Sequence, residues 1–556
     1  MPLTPGGTAP RSVPPPSVMD SEWTVPGLLR RAVQAHGERP FLEVVGGSVE
    51  TYAEAYVHAQ RMAACLHTLG VQPQDKLLIM LANSAEAIHG WLGANLINAI
   101  DVSINTGYRG LSLEHAANLS GAKVLLTSSN YLDVIGLSVG KLQTLQTIVI
   151  MDDGSLENAA LAQAGIRILR YDAIDNGDAV VPHYPANPWD IGSVIYTSGT
   201  SGPAKGVLMP HGQITLLAQL TAAKTALGAE DVFFCFYPMY HMAGKFMSAL
   251  ATLSVGGKLV LDTGFVPEQW LDRIRAYGAT MTAAHGPMLE MVYALPPSPH
   301  DLDHKLRSIR TAPFPKRIAA GFEARFGVRG IEVWGMTEIG IPCWTEEDMP
   351  LRVGSCGRVD ENWYEVAVVD PETDFPLPPG HIGEFTVRPK RPWIVMQGYL
   401  GMPEKTVEAW RNLWFHTGDC GMIDSNGYAF FVDRARERIR RRAENISASD
   451  IEAAALSHPA IAEAAAVGVS SGYEGDDDIL LCVVPKQGIT LTPEKLLRFL
   501  VRELPHYMVP RYLQYLEKLP RTVTGKLQRV SLKNNASDAS VWDRKAVNIS
   551  LRDLAR

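Results

Sequence analysis

The segment from Gly192 to Gly206 reads GSVIYTSGTSGPAKG, an apolar run followed by a loop of small hydroxylated residues. The run at 193–196 predicts a strand. Glycine lets the backbone approach a ligand closely, and hydroxyl, backbone N–H and ammonium groups all donate to phosphate oxygens. A polar linker is the alternative, but a linker rarely starts on an apolar strand and ends in Lys-Gly before a second apolar run. The segment therefore predicts a polyphosphate-binding loop made of Thr197, Ser198, Gly199, Thr200, Ser201, Gly202 and Lys205.

Two familiar loop patterns do not fit this segment. A Walker A loop needs glycine immediately before its lysine, and here Ala204 precedes Lys205. The GxSxG nucleophile elbow is absent around both Ser198 and Ser201. By itself the loop indicates a polyphosphate ligand and no particular reaction.

Length and composition describe an ordinary globular protein of several domains. The chain has 556 residues, of which 46% are hydrophobic and 20% charged, and its net charge is −8. A negative charge spread along the chain argues against a nucleic-acid partner. Six cysteines form no CxxC pair and no metal-ligand spacing, which is typical of reduced thiols in a cytoplasmic protein. No uninterrupted apolar run reaches the ~18 residues of a membrane span, so we expect a cytoplasmic protein without one.

The pattern along the chain predicts an α/β protein with two domains. Helix-like and strand-like segments alternate over 21–433, which favours a large N-terminal domain of α/β subdomains with largely parallel sheets. Turn signals at 376–380 (PLPPG) and 424–427 (DSNG) indicate a subdomain of short strands near its end. Residues 434–532 predict a small, mobile α+β C-terminal domain. The Pro-rich lead 1–20 is expected to be disordered, and 533–556 to be a polar, mobile tail.

Further motifs follow the loop in order, and together they carry a family resemblance. They are YPMYHMAG (237–244), WGMTE (334–338), WFHTGD (414–419), DRARERIRRRAENISASDIE (433–452) and TVTGK (522–526). Set beside the loop, they resemble the motifs of the AMP-forming adenylating enzymes: acyl-CoA synthetases, adenylation domains and luciferases. The resemblance covers residues 21–532. INTGYRG (104–110), RRRAENIS (440–447) and residues 541–543 look closest to the crotonobetaine/carnitine–CoA ligase type.

The resemblance implies a reaction in two steps. A small-molecule carboxylic acid attacks the α-phosphate of ATP and releases pyrophosphate, with Mg²⁺ as cofactor. The acyl-adenylate is then captured by a nucleophile, usually the thiol of coenzyme A.

The resemblance also implies roles for the residues nearest the reacting groups. Lys526 would bridge the substrate carboxylate and the α-phosphate, and Thr337 would donate to that phosphate. Glu338 would hold Mg²⁺ together with Thr197. His241 would lie between the acid pocket and the phosphates.

Other matched residues would hold the nucleotide or move the domains. Asp419 would accept hydrogen bonds from both ribose hydroxyls, and Arg434 would help hold the ribose or phosphates. Trp334, followed by Gly335, would stack on adenine, although a buried tryptophan of the core is the alternative. Arg436 aligns with the hinge about which the C-terminal domain rotates.

Several positions depart from the family pattern and leave the acceptor open. Asp433 and Ala443 stand where glycine is usual, and 310–313 (RTAP) replaces the usual GGAP beside adenine. An adenylating enzyme with another acceptor (an amine, a carrier-protein thiol or a specialised nucleophile) is therefore the first alternative. A non-catalytic nucleotide-binding homologue is the second.

Two basic features lead to further hypotheses. Some arginines of the basic run at 434, 436, 438, 440, 441 and 442 would meet the phosphates of an acceptor such as coenzyme A. Lys245, four residues after His241, would face the acid pocket and pair with a second acidic group of the substrate. The alternative is a lysine that reaches from a helix to solvent.

Overall fold

In the computed structural model of the protein, the described residues are 13, 20–174, 184–197, 204–434, 439–441, 444–446, 448–474, 476–520, 527–534, 538 and 540–554. Along this described part of the chain, no helix combines the length and the apolar character needed to cross a bilayer.

Strands and helices alternate through the first two thirds of the chain. The strands are β1 (Pro40–Val44), β2 (Val49–Thr51), β3 (Lys76–Met80), β4 (Ile100–Ser103), β5 (Val124–Thr127), β6 (Thr147–Ile150), β7 (Arg167–Arg170), β8 (Ile191–Thr197), β9 (Lys205–Pro210), β10 (Val232–Cys235), β11 (Lys258–Leu261), β12 (Met281–Ala284), β13 (Ser308–Thr311), β14 (Arg329–Met336), β15 (Gly340–Trp344) and β16 (Arg358–Val359). The helices are α1 (Val25–His36), α2 (Tyr52–Thr68), α3 (Ala85–Leu96), α4 (Gly110–Ser120), α5 (Leu132–Ser138), α6 (Ala159–Gln163), α7 (His211–Lys224), α8 (Met242–Gly244), the π-helix Lys245–Leu250, α9 (Ala251–Val255), α10 (Pro267–Ala276), α11 (Gly286–Tyr293) and α12 (Ala319–Phe326).

These strands build two large sheets that are parallel except at their edges. The first has the order β16-β15-β14-β13-β12-β10-β11-β1-β2 and is parallel from β14 to β1. In the second, the order β8-β4-β3-β5-β6-β7 is parallel, and β9 pairs antiparallel with β8. The predicted α/β architecture with largely parallel sheets is confirmed.

One continuous core joins the two sheets. It contains Ile79 and Ile195 from the second sheet together with Phe233 and Leu259 from the first. Helices α3 and α7 are buried along most of their length, because apolar residues surround them on all sides.

Short antiparallel strands follow, as predicted. They are β17 (Tyr364–Val369), β18 (Gly383–Pro389), β19 (Gly398–Tyr399), β20 (Phe415–Ile423) and β21 (Ala429–Arg434), with helix α13 (Pro403–Ala409). The sheet order is β17-β18-β20-β21, while β19 pairs with β9 of the second large sheet. The turns at 376–380 and 424–427 lie between β17 and β18 and between β20 and β21, and Gly380 and Gly427 there take positive φ values of 82° and 78°.

The C-terminal domain is a small α+β unit. Its elements are β22 (Ile439–Arg441), β23 (Glu444–Ile446), α14 (Ala448–Leu456), β24 (Ile461–Ser470), β25 (Asp477–Pro485), α15 (Pro493–Glu503), β26 (Tyr512–Tyr515), α16 (Arg529–Asn534), β27 (Trp542–Asp543) and α17 (Leu551–Leu554). The sheet has the order β24-β25-β26-β27, and β22 and β23 form a separate hairpin.

The structure differs from the predicted mobile tail over residues 540–554. Strand β27 pairs antiparallel with β26, and Arg511 binds the Asp543 carboxylate at 2.8 Å. Leu554 is buried in the domain core. The segment is polar on average, but its few apolar residues, Trp542, Ile549, Leu551 and Leu554, pack on the domain core.

Candidate active site

A cavity of about 500 Å³ lies where the two large sheets, the short-stranded subdomain and the C-terminal domain meet. The carboxyl ends of β8, β12, β13 and β14 open into it, which is the usual ligand-binding edge of a parallel sheet. The predicted site residues that line it are Thr197, His241, Trp334, Gly335, Thr337, Glu338 and Asp419. Motifs up to 222 residues apart in sequence (197 to 419) thus share one wall.

The two ends of the predicted phosphate loop lie at this cavity. Thr197 on β8 pairs in register with Lys205 on β9, and Ala204 lines the cavity. His115 bonds to the Ala204 carbonyl oxygen at 2.8 Å, which holds the exit of the loop. The predicted loop residues at 198–202 lie outside the described residues.

The WGMTE segment is held rigidly behind the cavity. A Cβ atom on Gly335 would lie 2.1 Å from the carbonyl oxygen of Gly340, so only glycine fits between β14 and β15. The Gln213 side chain donates to the carbonyl oxygen of Thr337 at 2.8 Å. The backbone that presents Thr337 and Glu338 is therefore tightly packed.

Tyr399 links two predicted site residues and was not itself predicted from the sequence. Its hydroxyl donates to Glu338 Oε1 at 3.0 Å, and the Lys205 ammonium lies 4.4 Å from the centre of its ring. Burial, together with the Glu338 charge, raises the pKa of the Tyr399 phenol, which therefore stays a proton donor. Tyr399 follows Glu338 by 61 residues and belongs to none of the motifs, so no sequence signal marked it.

Asp419 is oriented by the tryptophan of the WGMTE motif. The Trp334 indole N–H donates to Asp419 Oδ2 at 3.0 Å, and both side chains are buried. The indole also packs on Phe385 with ring centroids 4.7 Å apart. Trp334 thus belongs to the core and lines the cavity at the same time.

Two histidines line the cavity near α8. His241 caps this helix, accepting from the backbone N–H of Ala243 at 3.2 Å. Burial, together with the charges of Arg310 and Arg440, lowers the pKa of His241 to about 4. The pKa of His285 is also well below its usual value, for the same reasons. Both imidazoles are therefore neutral at pH 7, and His285 belongs to no sequence motif.

Arg310 lines the same part of the cavity as His241 and binds the backbone near it. Its guanidinium donates to the carbonyl oxygens of Met247 and Ala243 at 2.5 and 3.1 Å. The resemblance places residues 310–313 beside adenine, which stays a prediction. The Arg310 side chain itself contacts α8 and the π-helix.

Lys245 takes neither of the two positions considered from the sequence. It is 1% exposed, forms an ion pair with Asp101, and donates to Ser103 Oγ at 2.7 Å. It is not among the residues that line the cavity. A lysine buried this deeply needs a counter-charge, and β4 supplies it.

The C-terminal domain covers one side of the cavity. Arg440 on the β22–β23 hairpin donates to the Ala312 carbonyl oxygen at 2.9 Å, and Asn105 donates to the Tyr507 hydroxyl at 3.2 Å. Arg441 instead binds within its own domain, to the carbonyl oxygen of Val509 at 2.8 Å. Arg442 lies outside the described residues.

The remaining predicted residues are only partly placed. Lys526 and Arg436 lie outside the described residues, as does Ala443. The backbone of residue 434 pairs in register with Asp419.

The described neighbours of segment 521–526 lie on one face of the C-terminal sheet. Leu519 and Leu527 pack with Leu480 in one cluster, whereas Leu504 and Met508, which line the cavity, belong to the cluster on the other face. The described ends of the Lys526 segment therefore lie across the sheet from the cavity.

Comparison with known proteins matches most of the chain to AMP-binding enzymes. The family model for AMP-binding enzymes matches residues 29–400, and that for the AMP-binding enzyme C-terminal domain matches 450–526. The crotonobetaine/carnitine–CoA ligase of Escherichia coli ATCC 8739 is 30% identical over 515 residues, covering 90% of this chain and 96% of the relative. The 4-coumarate–CoA ligase 2 of Nicotiana tabacum is 28% identical over 505 residues, 87% of this chain and 89% of the relative.

Solved structures share the fold at lower identity. The amide bond synthetase McbA from Marinactinospora thermotolerans superposes with a TM-score of 0.79 at 22% identity, over 91% of this chain and 99% of that one.

Proposed function

This chain belongs to the AMP-binding enzyme family, and from that membership we propose that it is an AMP-forming acid–CoA ligase. It would activate a carboxylic acid with ATP, release pyrophosphate and pass the acyl group to coenzyme A. The observation that carries the proposal is the convergence of Thr197, Thr337, Glu338 and Asp419 on one cavity at the carboxyl ends of the strands.

The nucleotide would bind along the wall formed by Trp334 and Asp419. A buried carboxylate can accept from both hydroxyls of a cis-diol, and the 3.0 Å bond from Trp334 sets its orientation for the ribose. The indole face would stack on adenine, and Arg434 would approach the ribose or phosphates from the strand beside Asp419. Its register opposite Asp419 supports this role.

Thr337 and Glu338 would serve the phosphates. Among the described residues, Glu338 and Thr197 would offer oxygen donors to the metal, and this donor chemistry fits Mg²⁺. When bound, Mg²⁺ would neutralise phosphate charge during attack on the α-phosphate. Tyr399 supports the assignment, because its donated hydrogen bond keeps the Glu338 carboxylate in position at the cavity.

His241 and Lys526 would act at the reacting carboxylate. The neutral His241 would donate a hydrogen bond without repelling Lys526, which would stabilise the charge that builds on the α-phosphate. Rotation about Arg436 would bring Lys526 to the cavity for adenylation and then remove it for thioester formation. The packing of Leu519 and Leu527 across the C-terminal sheet from the cavity supports such an exchange of faces.

Coenzyme A is the acceptor that we propose, and Arg440 is the residue that we expect to meet its phosphates. Arg440 lines the cavity and donates to the Ala312 carbonyl oxygen, which supports this assignment. A cytoplasmic location stays a prediction from the cysteine content.

Pyrophosphate release tests the proposal directly. It should be measured with ATP and a panel of carboxylic acids, with and without coenzyme A, and the thioester should be identified by mass. We expect acid-dependent release and a thioester that requires coenzyme A. Release without thioester would favour another acceptor, and no release with any acid would favour the non-catalytic homologue.

A further inference from the structure

The side chain of Arg310 is a buried cation at the wall of the cavity. It extends from the carboxyl end of β13 and is 4% exposed. Besides the two backbone carbonyl oxygens of α8 and the π-helix, it contacts Ser248 Oγ at 3.3 Å. Within the described part of the chain, these three bonds are the hydrogen bonds that Arg310 donates, out of a capacity of five N–H donors.

No carboxylate among the described residues pairs with Arg310. Burial lowers its pKa only to about 10, so the guanidinium is charged at pH 7. Other equally buried cations have acidic partners: Lys224 binds Glu346 at 2.6 Å, and Arg441 binds Asp478 at 3.4 Å. A desolvated charge without a counter-charge is costly, and Arg310 is an exception to the pattern in this protein.

The neighbouring acid cannot supply the missing charge. Glu332 lines the same cavity, but in the register of β13 and β14 it lies beside Thr311. Successive side chains alternate between the two faces of a sheet, so Glu332 and Arg310 project to opposite faces. Two titratable groups that interact with Arg310, Tyr237 and His241, are neutral at pH 7. Burial raises the pKa of the Tyr237 phenol and lowers that of the His241 imidazole.

We propose that the acid activated by this enzyme carries a second carboxylate, and that this second carboxylate binds Arg310. The inference rests on the proposed function, since it assigns one end of the same cavity. The reacting carboxylate would point towards Thr337 and the nucleotide. The second carboxylate would lie at the α8 end of the cavity. The carbon chain of the acid would then pack against Met242 and Met247, which line the cavity.

Matched pairs of acids test the inference. Pyrophosphate release should be measured with succinate against butyrate, glutarate against pentanoate, adipate against hexanoate, and terephthalate against benzoate. We expect at least one diacid to exceed its monoacid in kcat/KM by about tenfold or more.

Variants of Arg310 separate a specificity role from a structural one. Arg310→Met should lower kcat/KM for the preferred diacid about 100-fold, and much less for its monoacid, because only the diacid loses a buried charge partner. Arg310→Lys keeps the charge and should retain part of the preference. As a matched control, Arg325→Met removes an arginine that also binds backbone carbonyls, those of Tyr293 and Leu295, away from the cavity, and should leave the preference unchanged.

The outcomes are distinguishable. Monoacids that are activated as well as every diacid would overturn the inference and leave the proposed function intact. Equal losses for diacid and monoacid in Arg310→Met would also overturn it, by showing that Arg310 only supports the π-helix. If Arg310→Met does not fold, Arg310→Gln and Arg310→Lys replace it. Loss of the diacid preference in Arg310→Gln, with retention in Arg310→Lys, would support the inference. The same preference in both variants would overturn it. No release with any acid would overturn the proposed function as well.

Discussion

Replacing Lys245 with methionine should destabilise the N-terminal domain without changing which acids the protein activates. The ammonium is 1% exposed and its partner Asp101 is fully buried. Asp101 also accepts from Ser103 and Ser193 at 2.6 and 2.7 Å, so the variant leaves a buried carboxylate with two hydroxyl donors and no cation.

The expected loss follows from this geometry. Breaking a buried pair by removing one partner costs about 3–5 kcal/mol. A unit of about 400 residues unfolds with an entropy of about 0.8 kcal/mol/K, so its melting temperature should fall by about 4–6 °C. Calorimetry on the full chain measures this shift.

Two further variants make the measurement specific. Lys258→Met removes the cation of a more exposed pair with Glu43 and should cost less than about 1 kcal/mol. Adding Asp101→Asn to Lys245→Met removes the orphaned charge and should recover at least half of the lost stability. A normal melting temperature for Lys245→Met, with an altered preference among acids, would refute this reasoning and return Lys245 to the acid pocket.

Three other substitutions probe the cavity wall. Trp334→Phe loses the hydrogen bond to Asp419, worth about 1.5–3 kcal/mol for a charged acceptor, so the KM for ATP should rise about 10- to 100-fold in a pyrophosphate assay. Burial raises the pKa of Glu332 to about 8. The folded state therefore holds a proton that the unfolded chain loses near pH 4.5, and stability should fall as pH rises from about 5 to 8, by at most about 5 kcal/mol. The melting temperature of Glu332→Gln should lack this pH dependence. If it changes with pH as steeply as that of the wild type, the dependence comes from another group. Gly335→Ala places a methyl group 2.1 Å from a carbonyl oxygen of β15 and should slow pyrophosphate release roughly 100-fold, whereas Gly264→Ala, which meets open space, should not.

The sequence alone predicted the architecture and seven of the residues that line the cavity. Alternating apolar segments predicted parallel sheets, and turn residues at 376–380 and 424–427 predicted the short-stranded hairpins. Both signals are local, because the period of a strand and the φ of a turn glycine depend on near neighbours. Ordered motifs indicated Thr197, Thr337, Glu338 and Asp419 for the same reason: each is a short, contiguous pattern.

Tertiary structure decided what surrounds those motifs. Tyr399 beside Glu338, the indole bond to Asp419, and the ion pair between Lys245 and Asp101 join residues 61, 85 and 144 positions apart. Side-chain burial and charge pairing of this kind arise only when distant strands and helices pack together. The segment that begins at Gly192 thus predicted a phosphate site from its own residues. The buried charge of Arg310 became evident only in the fold, where none of the described carboxylates pairs with it.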